Sequence, residues 1–308
     1  MKRNSFSLIF LFLLHCLCSC NDSKTGTTTQ NNDHETPEVK SVFINGDSIH
    51  YIDVGKGDPV VFVHGALGDY RTFHKQMDEF AKSHRIIAYS RRFAYPNQQI
   101  ITDPARLSST SHVSDLAELL KTLKLGPVNL YGHSYGADIA LLTAIDHPEL
   151  VSSLILGEPS FEVPGGDTVL NNFFTTAFVP VVEAFKDNKN EEGVKAFVNG
   201  VLGDSLCYNR LSQNDRDIMM ANFHEVKGIL LGKDNSPLVG CDDVKKIKAP
   251  VLLVKGDKSP VIFSLMIEEL NRCLRNRELA TLANTSHGLE YESPTEFNKM
   301  VLAFINKH

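Results

Sequence analysis

The sequence predicts an α/β protein with a mostly parallel central sheet, helices on both faces, and an all-helical cap inserted between two strands. Two observations carry this. Short β-branched runs alternate with helical patterns along most of the chain, and one long stretch, 160–248, holds helical patterns and no convincing strand. Strand–helix alternation of this kind argues for a parallel sheet covered on both sides.

Residues 39–44 and 49–54, joined through Asn45-Gly46-Asp47, read as an N-terminal hairpin. Runs at 59–64 (PVVFVH), 85–89 (RIIAY), 128–132 (VNLYG), 151–157 (VSSLILG) and 251–255 (VLLVK) read as buried parallel strands, with a last strand at 278–283. Helical patterns at 72–81, 111–123, 135–146, 261–274 and 293–306 separate most of them. Within 160–248, Phe173, Phe174, Phe178, Val181 and Phe185 recur at helical spacing, and further helical patterns follow at 191–202 and 212–224. The expected division is a core of 39–158 and 249–308 with a cap of 159–248 over the strand ends. No internal repeat is visible.

With 42% hydrophobic and 22% charged residues, the composition excludes wholesale disorder, collagen and a multi-span membrane protein. At 308 residues, one large domain with an insertion is favoured over a string of small modules. The net charge is −6, from 31 basic and 37 acidic residues. Such a surface repels phosphate backbones, so nucleic acid is disfavoured as a partner.

The first residues read as an export signal. Lys2 and Arg3 precede an apolar run at 6–17, which is shorter than the roughly 20 residues a membrane-spanning helix needs. Leu17-Cys18-Ser19-Cys20 resembles a bacterial lipobox, in which a small residue precedes a lipid-modified cysteine. The resemblance implies a signal peptide of 1–19, cleavage after Ser19 and acylation of Cys20, hence an exported protein anchored to the bacterial cell envelope. Cys16 and Cys18 fit less well, with His15 and Leu17 before them. Residues 20–38 are polar and read as a flexible tether. Three acyl chains, at about 0.8 kcal/mol per buried CH₂, would hold the protein stably at a membrane. Beyond the leader only Cys207, Cys241 and Cys273 remain, too few and too scattered for a disulfide framework or a metal cluster. An exported compartment permits a Cys207–Cys241 bridge, but buried thiols are the expectation.

Gly132-His133-Ser134-Tyr135-Gly136 fits G-x-S-x-G, directly after the strand VNLYG and directly before the helix YGADIALLTAI. A nucleophile elbow needs a strand that stops abruptly, a helix that starts at once, and glycines where side chains would collide. Ser134 is therefore the expected nucleophile. A serine hydroxyl needs a base, and His287, in the Asn284-Thr285-Ser286-His287-Gly288 loop between the last strand and the last helix, is best placed among twelve histidines. His64-Gly65-Ala66-Leu67-Gly68 follows the strand PVVFV, where one oxyanion donor commonly lies. The backbone N–H groups of Ala66 and Tyr135 are the expected oxyanion hole. His64 and His133 read as structural or oxyanion-loop residues. Asp138, one helical turn past the elbow, reads as a carboxylate favoured by the helix N-terminus. Arg91 and Arg92 follow a strand and read as solvated or salt-bridged.

On these segments the chain resembles a capped α/β-hydrolase. HGALGDYRTF, IIAYSRRFAYPN, NLYGHSYGADIAL, HPELVSSLILGEPSF, APVLLVKGDKSPVIF and NTSHGLEYESPTEFNKMVLAFI carry the likeness across the whole sheet, with the cap loosely specified. The family's nucleophile, base and oxyanion positions fall on Ser134, His287, Ala66 and Tyr135. The acid departs from the pattern. The family usually has Asp three residues after the glycine that ends the strand following the cap, and here Gly256-Asp257-Lys258-Ser259 puts Ser259 there. Two candidates remain: Asp257, on that loop but offset, and Glu158, at the end of VSSLILG, where some members carry the acid. Glu158 is preferred.

The resemblance implies a serine hydrolase that cleaves an ester, lactone or related acyl bond of a small to medium apolar molecule through an acyl-enzyme, with no cofactor and no metal. Alternatives on the same residues are acyl transfer and C–C bond hydrolysis, or a non-catalytic binding or sensor protein that kept the fold. Dehalogenase and epoxide hydrolase chemistry is disfavoured, because those members use Asp where Ser134 stands. The absence of Trp further weakens dehalogenation.

Overall fold

The structure is a computed structural model that describes residues 37–97, 99–232, 236–237 and 239–308. The expected signal peptide, Cys20 and nearly all of the tether lie outside the described residues. The chain forms β1 (Val39–Ile44), β2 (Asp47–Gly55), β3 (Pro59–Val63), α1 (His74–Phe80), β4 (Arg85–Tyr89), α2 (Ser109–Thr122), β5 (Val128–His133), α3 (Tyr135–Asp146) and β6 (Val151–Gly157). After the cap come β7 (Val251–Gly256), α11 (Val261–Cys273), β8 (Arg277–Leu282), α12 (Leu289–Glu292) and α13 (Pro294–Ile305). Each expected strand is present, with its ends shifted by at most two residues.

The eight strands form one sheet in the order β1-β2-β4-β3-β5-β6-β7-β8. β1 and β2, and β2 and β4, pair antiparallel; every later pair is parallel. The apolar runs are continuous because both sheet faces are buried. Val61 and Val63 of β3 pack with Ile87, Leu130 and Leu156 in the layer against α2, α3 and α11. Their neighbours Val60 and Phe62 pack with Ala88, Tyr131 and Val254 in the opposite layer, against α1 and α13. Alternate side chains of a strand point to opposite faces, so a strand covered twice carries no polar alternation.

Between β6 and β7 the chain is helical: α4 (Asp167–Phe173), one π-turn segment (Phe174–Phe178), α5 (Val179–Lys186), α6 (Asn190–Leu202), α7 (Cys207–Arg210), α8 (Gln213–Ala221), α9 (Phe223–Leu231) and α10 (Cys241–Val244). Val181, Phe185, Val194, Val198 and Val226 form its own apolar centre, onto which Leu67 of the β3 loop packs. Gly193 is needed there, because a Cβ would collide with the Phe185 ring. The single helical pattern at 212–224 is two helices. Asn222 interrupts it by donating to the Ile218 carbonyl at 2.7 Å and to Asp69 Oδ2 at 2.7 Å, while its Oδ1 accepts from the Tyr95 N–H at 2.7 Å.

The cysteines differ from expectation. Cys241 and Cys273 are joined as a disulfide, with Cα atoms 5.1 Å apart, and Cys207 is free. α10 packs on α11, which brings the start of one to the end of the other at a separation suited to a bridge. Sequence spacing carries no trace of that packing.

Candidate active site

The elbow is built from local sterics. Ser134 stands between β5 and α3 with φ 52° and ψ −125°, a conformation that strains a residue with a side chain. Its N–H donates to the Gly157 carbonyl at 2.8 Å and its carbonyl accepts from the Ala137 N–H at 2.7 Å, which hold the turn shut. A Cβ at Gly132 would collide with the Gly136 carbonyl, and one at Gly136 with the Val63 carbonyl. The G-x-S-x-G glycines are therefore packing requirements of a strand and helix brought unusually close.

His287 lies on the loop after β8 and is 2% exposed. Its ring stacks on Phe263 of α11, centroids 3.9 Å apart and planes at 12°. Nδ1 is 2.5 Å from Glu158 Oε2. Nε2 is buried without a hydrogen-bond partner, and His287 and Ser134 line the same cavity. Burial lowers the His287 pKa below its ordinary value, and Glu158 opposes that shift without cancelling it. A neutral ring with its Nδ1 proton facing a carboxylate presents a free Nε2 lone pair, which is the form a proton acceptor needs.

Glu158 directly follows β6, at φ 48°, and is fully buried. Its Oε1 accepts from the Gly256 N–H at 2.9 Å and from Ser259 Oγ at 2.6 Å. Of the two acids weighed from sequence, Glu158 meets the imidazole. Asp257 instead accepts from the Thr285 N–H at 3.2 Å and braces the loop that carries His287.

A second carboxylate–imidazole contact lies behind the first. His133 Nε2 is 2.8 Å from the His287 carbonyl, and His133 Nδ1 is 3.1 Å from Glu290 Oε1. Tyr131 donates to the other Glu290 oxygen at 2.9 Å. Burial alone would lower the His133 pKa, but Glu290 overrides it and the net shift is upward. Both nitrogens face acceptors, which suits an imidazolium that ties β5 to the His287 loop.

Ala66 and Ser134 line two cavities. The smaller, about 70 Å³, has His287, Leu67, Val198, Leu211 and Met219 in its wall. The larger, about 420 Å³, is walled by Tyr135, Phe173, Phe178, Ile262, Phe263 and Met266 among others. The Phe-rich stretch thus divides: Phe173, Phe174 and Phe178 face the larger cavity, whereas Val181 and Phe185 fill the centre of the cap. Asp138, also in that wall, accepts from the Ser160 N–H at 2.6 Å and anchors the chain leaving β6. Among the described residues, the side chains close enough to share a metal ion are Cys241, Glu269 and Cys273. They line neither cavity, and two of them form the disulfide.

Sequence reasoning overlooked Ser259 and Glu290 as partners of this site, and of its two readings for the arginines after β4, solvated or salt-bridged, the second holds. Arg91 and Arg92 are both buried and ion-paired, Arg91 with Glu225 and Arg92 with Asp47 and Asp115. The one available signal for their burial was two adjacent arginines one residue past a strand that is apolar throughout its middle.

The family pattern described as the alpha/beta hydrolase fold matches residues 58–294. An ethanol acetyltransferase of Cyberlindnera jadinii is 25% identical over 278 residues, covering 82% of this chain and 80% of its own. A 2-hydroxy-6-oxononadienedioate/2-hydroxy-6-oxononatrienedioate hydrolase of Burkholderia vietnamiensis is 25% identical over 273 residues, covering 84% of this chain and 91% of its own. Among solved structures, an esterase from Rhodococcus sp. ECU1013 superposes with a TM-score of 0.71 at 19% identity, over 87% of this chain and 98% of that one.

Proposed function

Because the chain belongs to the alpha/beta hydrolase fold family, we propose that it is a serine hydrolase of carboxylic esters or lactones, with Ser134 as nucleophile, His287 as base and Glu158 as acid. The observation that carries this reading is the buried Glu158–His287 pair, which leaves His287 Nε2 unpartnered beside the cavity it shares with Ser134. In the proposed reaction Nε2 takes the Ser134 proton as Oγ attacks the acyl carbon. The N–H groups of Ala66 and Tyr135 hold the oxyanion. His287 then protonates the leaving oxygen, and a water activated the same way releases the acid and restores Ser134.

The two cavities suggest which part of the substrate goes where. The leaving oxygen must receive its proton from His287, so the alcohol side occupies the smaller cavity, in whose wall His287 stands. The acyl group then takes the larger, Phe-lined one. That arrangement favours an ester with a sizeable apolar acyl group and a small alcohol. Acyl transfer shares every step up to the acyl-enzyme and differs in an alcohol replacing water; the acetyltransferase relative keeps it as the second reading.

The proposal includes export and lipid anchoring at Cys20, supported by the Leu17-Cys18-Ser19-Cys20 run and the polar stretch after it. Mass spectrometry of the mature N-terminus should find acylated Cys20, and an unmodified terminus elsewhere would defeat that part. For the chemistry, p-nitrophenyl esters of graded acyl length and a lactone panel should be turned over, with a fluorophosphonate labelling Ser134. An unlabelled Ser134 would favour the non-catalytic binder.

A further inference from the structure

Arg91 carries a cation in the interior, directly under the loop that bears Ala66. Its side chain is wholly buried, and so is that of Glu225, which reaches it from α9 in the cap. Arg91 Nε and Nη2 meet the two Glu225 oxygens at 3.0 and 2.6 Å, a two-pronged contact. Two further donors reach two consecutive backbone carbonyls: Nη1 that of His64, and Nη2 that of Gly65 at 3.0 Å. The Arg91 backbone N–H donates to His64 Nε2 at 3.1 Å, while His64 Nδ1 faces the Gly65 carbonyl at 3.0 Å. Those contacts require a neutral His64 protonated on Nδ1. Burial, with Arg91 acting in the same direction, pushes the His64 pKa well below its ordinary range and so provides that form. Burial alone would raise the Glu225 pKa, but Arg91 holds it down at about 2, so the pair stays ionised.

A guanidinium and a carboxylate gain little net stability from being buried together, so their retention asks for a geometric reason. The Gly65–Ala66 peptide is planar and trans, and its carbonyl and N–H point in opposite directions. A carbonyl pinned on Arg91 therefore aims the Ala66 N–H away from Arg91, and Ala66 lies in the walls of both cavities. A cation on the carbonyl also polarises the peptide and makes its N–H a better donor. The same guanidinium lies 5.1 Å from the ring of Tyr135, the other residue assigned an oxyanion N–H. The Gly65 carbonyl further accepts from the Gly68 N–H at 3.3 Å, a turn bond that fixes the loop but supplies no charge.

We infer that Arg91 is a positioning residue for the oxyanion hole, and that Glu225 of the cap fixes it in that role, so that a seated cap and an aligned Ala66 N–H are one state. The inference rests on the serine hydrolase reading. It makes the cap part of the apparatus that stabilises the oxyanion as well as a wall of the binding space.

The test uses Arg91→Lys and Glu225→Gln in the full chain, with sites counted by fluorophosphonate titration and thermal unfolding measured alongside. Loss of one oxyanion donor costs about 10²–10³ in rate. A misaimed donor should lower kcat per titrated site by about 10- to 100-fold, with KM for a short p-nitrophenyl ester changed less than about two-fold. The phosphonylation rate of Ser134, which also builds charge on an oxygen in the hole, should fall in parallel. A pair that serves folding alone would lower the unfolding temperature and the fraction of titratable sites, and leave kcat per site unchanged. That result in either folded variant overturns the inference, as does failure of the near-isosteric Glu225→Gln to fold. Wild-type protein with neither turnover nor labelling would instead overturn the serine hydrolase reading beneath it.

Discussion

Ser259 Oγ donates to Glu158 Oε1 at 2.6 Å, and the other oxygen of that carboxylate lies 2.5 Å from His287 Nδ1. The loop where the resemblance led one to expect an acid thus supplies a hydroxyl that steadies an acid from the neighbouring strand. β6 and β7 are parallel neighbours, and Glu158 sits one residue past the Gly157–Val254 pair, level with the last residues of β7. A carboxylate at either strand end can reach the same imidazole.

Glu158→Gln should lower kcat by orders of magnitude, up to about 10⁴, because an amide neither fixes the imidazole tautomer nor balances its charge. Asp257→Asn should be milder, since that side chain holds the Thr285 N–H and not the imidazole. Steady-state kinetics on one ester, with sites counted by titration, ranks the two. The reverse order would overturn the acid assignment.

The acid limb of the rate should set in at lower pH than an ordinary histidine would give. His287 accepts a proton only when neutral, and burial lowers its pKa despite the opposing pull of Glu158. The acid limb of kcat/KM should therefore have its midpoint below about 6.5. A midpoint clearly above that value would contradict a buried His287 acting as base.

Filling the larger cavity should shorten the acyl groups accepted. Met266 and Ile262 line it from α11. Met266→Trp should cut kcat/KM by about four-fold for each acyl methylene that no longer fits, from about 0.8 kcal/mol per buried CH₂. Selectivity among alcohols of one short acid should stay as in the wild type. Leu211→Trp, in the smaller cavity, should do the converse. Exchange of these two effects in an acyl-by-alcohol ester grid would reverse the assignment of the cavities.

Cys273→Ser should destabilise the protein by about 2–4 kcal/mol, since the Cys241–Cys273 bridge closes a loop with a sequence separation of 32. Cys207→Ser, at the free thiol, should change stability by less than about 0.5 kcal/mol. Urea unfolding with and without reductant compares them, and equal effects would argue against the bridge.

The elements of the fold were legible in the sequence because strand, elbow and helix signals are local. PVVFV and VSSLILG report burial on two faces, and G-x-S-x-G between a strand and a helix reports a steric need within five residues. Ser134, His287 and Ala66 meet around one cavity, at positions such local signals could mark. The strand-end position of Glu158 already favoured it over Asp257, but who meets whom across distance was otherwise decided by tertiary structure alone: Ser259 at Glu158, Glu225 at Arg91, Cys273 rather than Cys207 at Cys241, and which phenylalanines face a cavity. Backbone preference and hydrophobic period constrain each residue's own conformation and burial. They carry no term for its partner, which depends on the order of strands in the sheet and on how the cap helices seat against their ends.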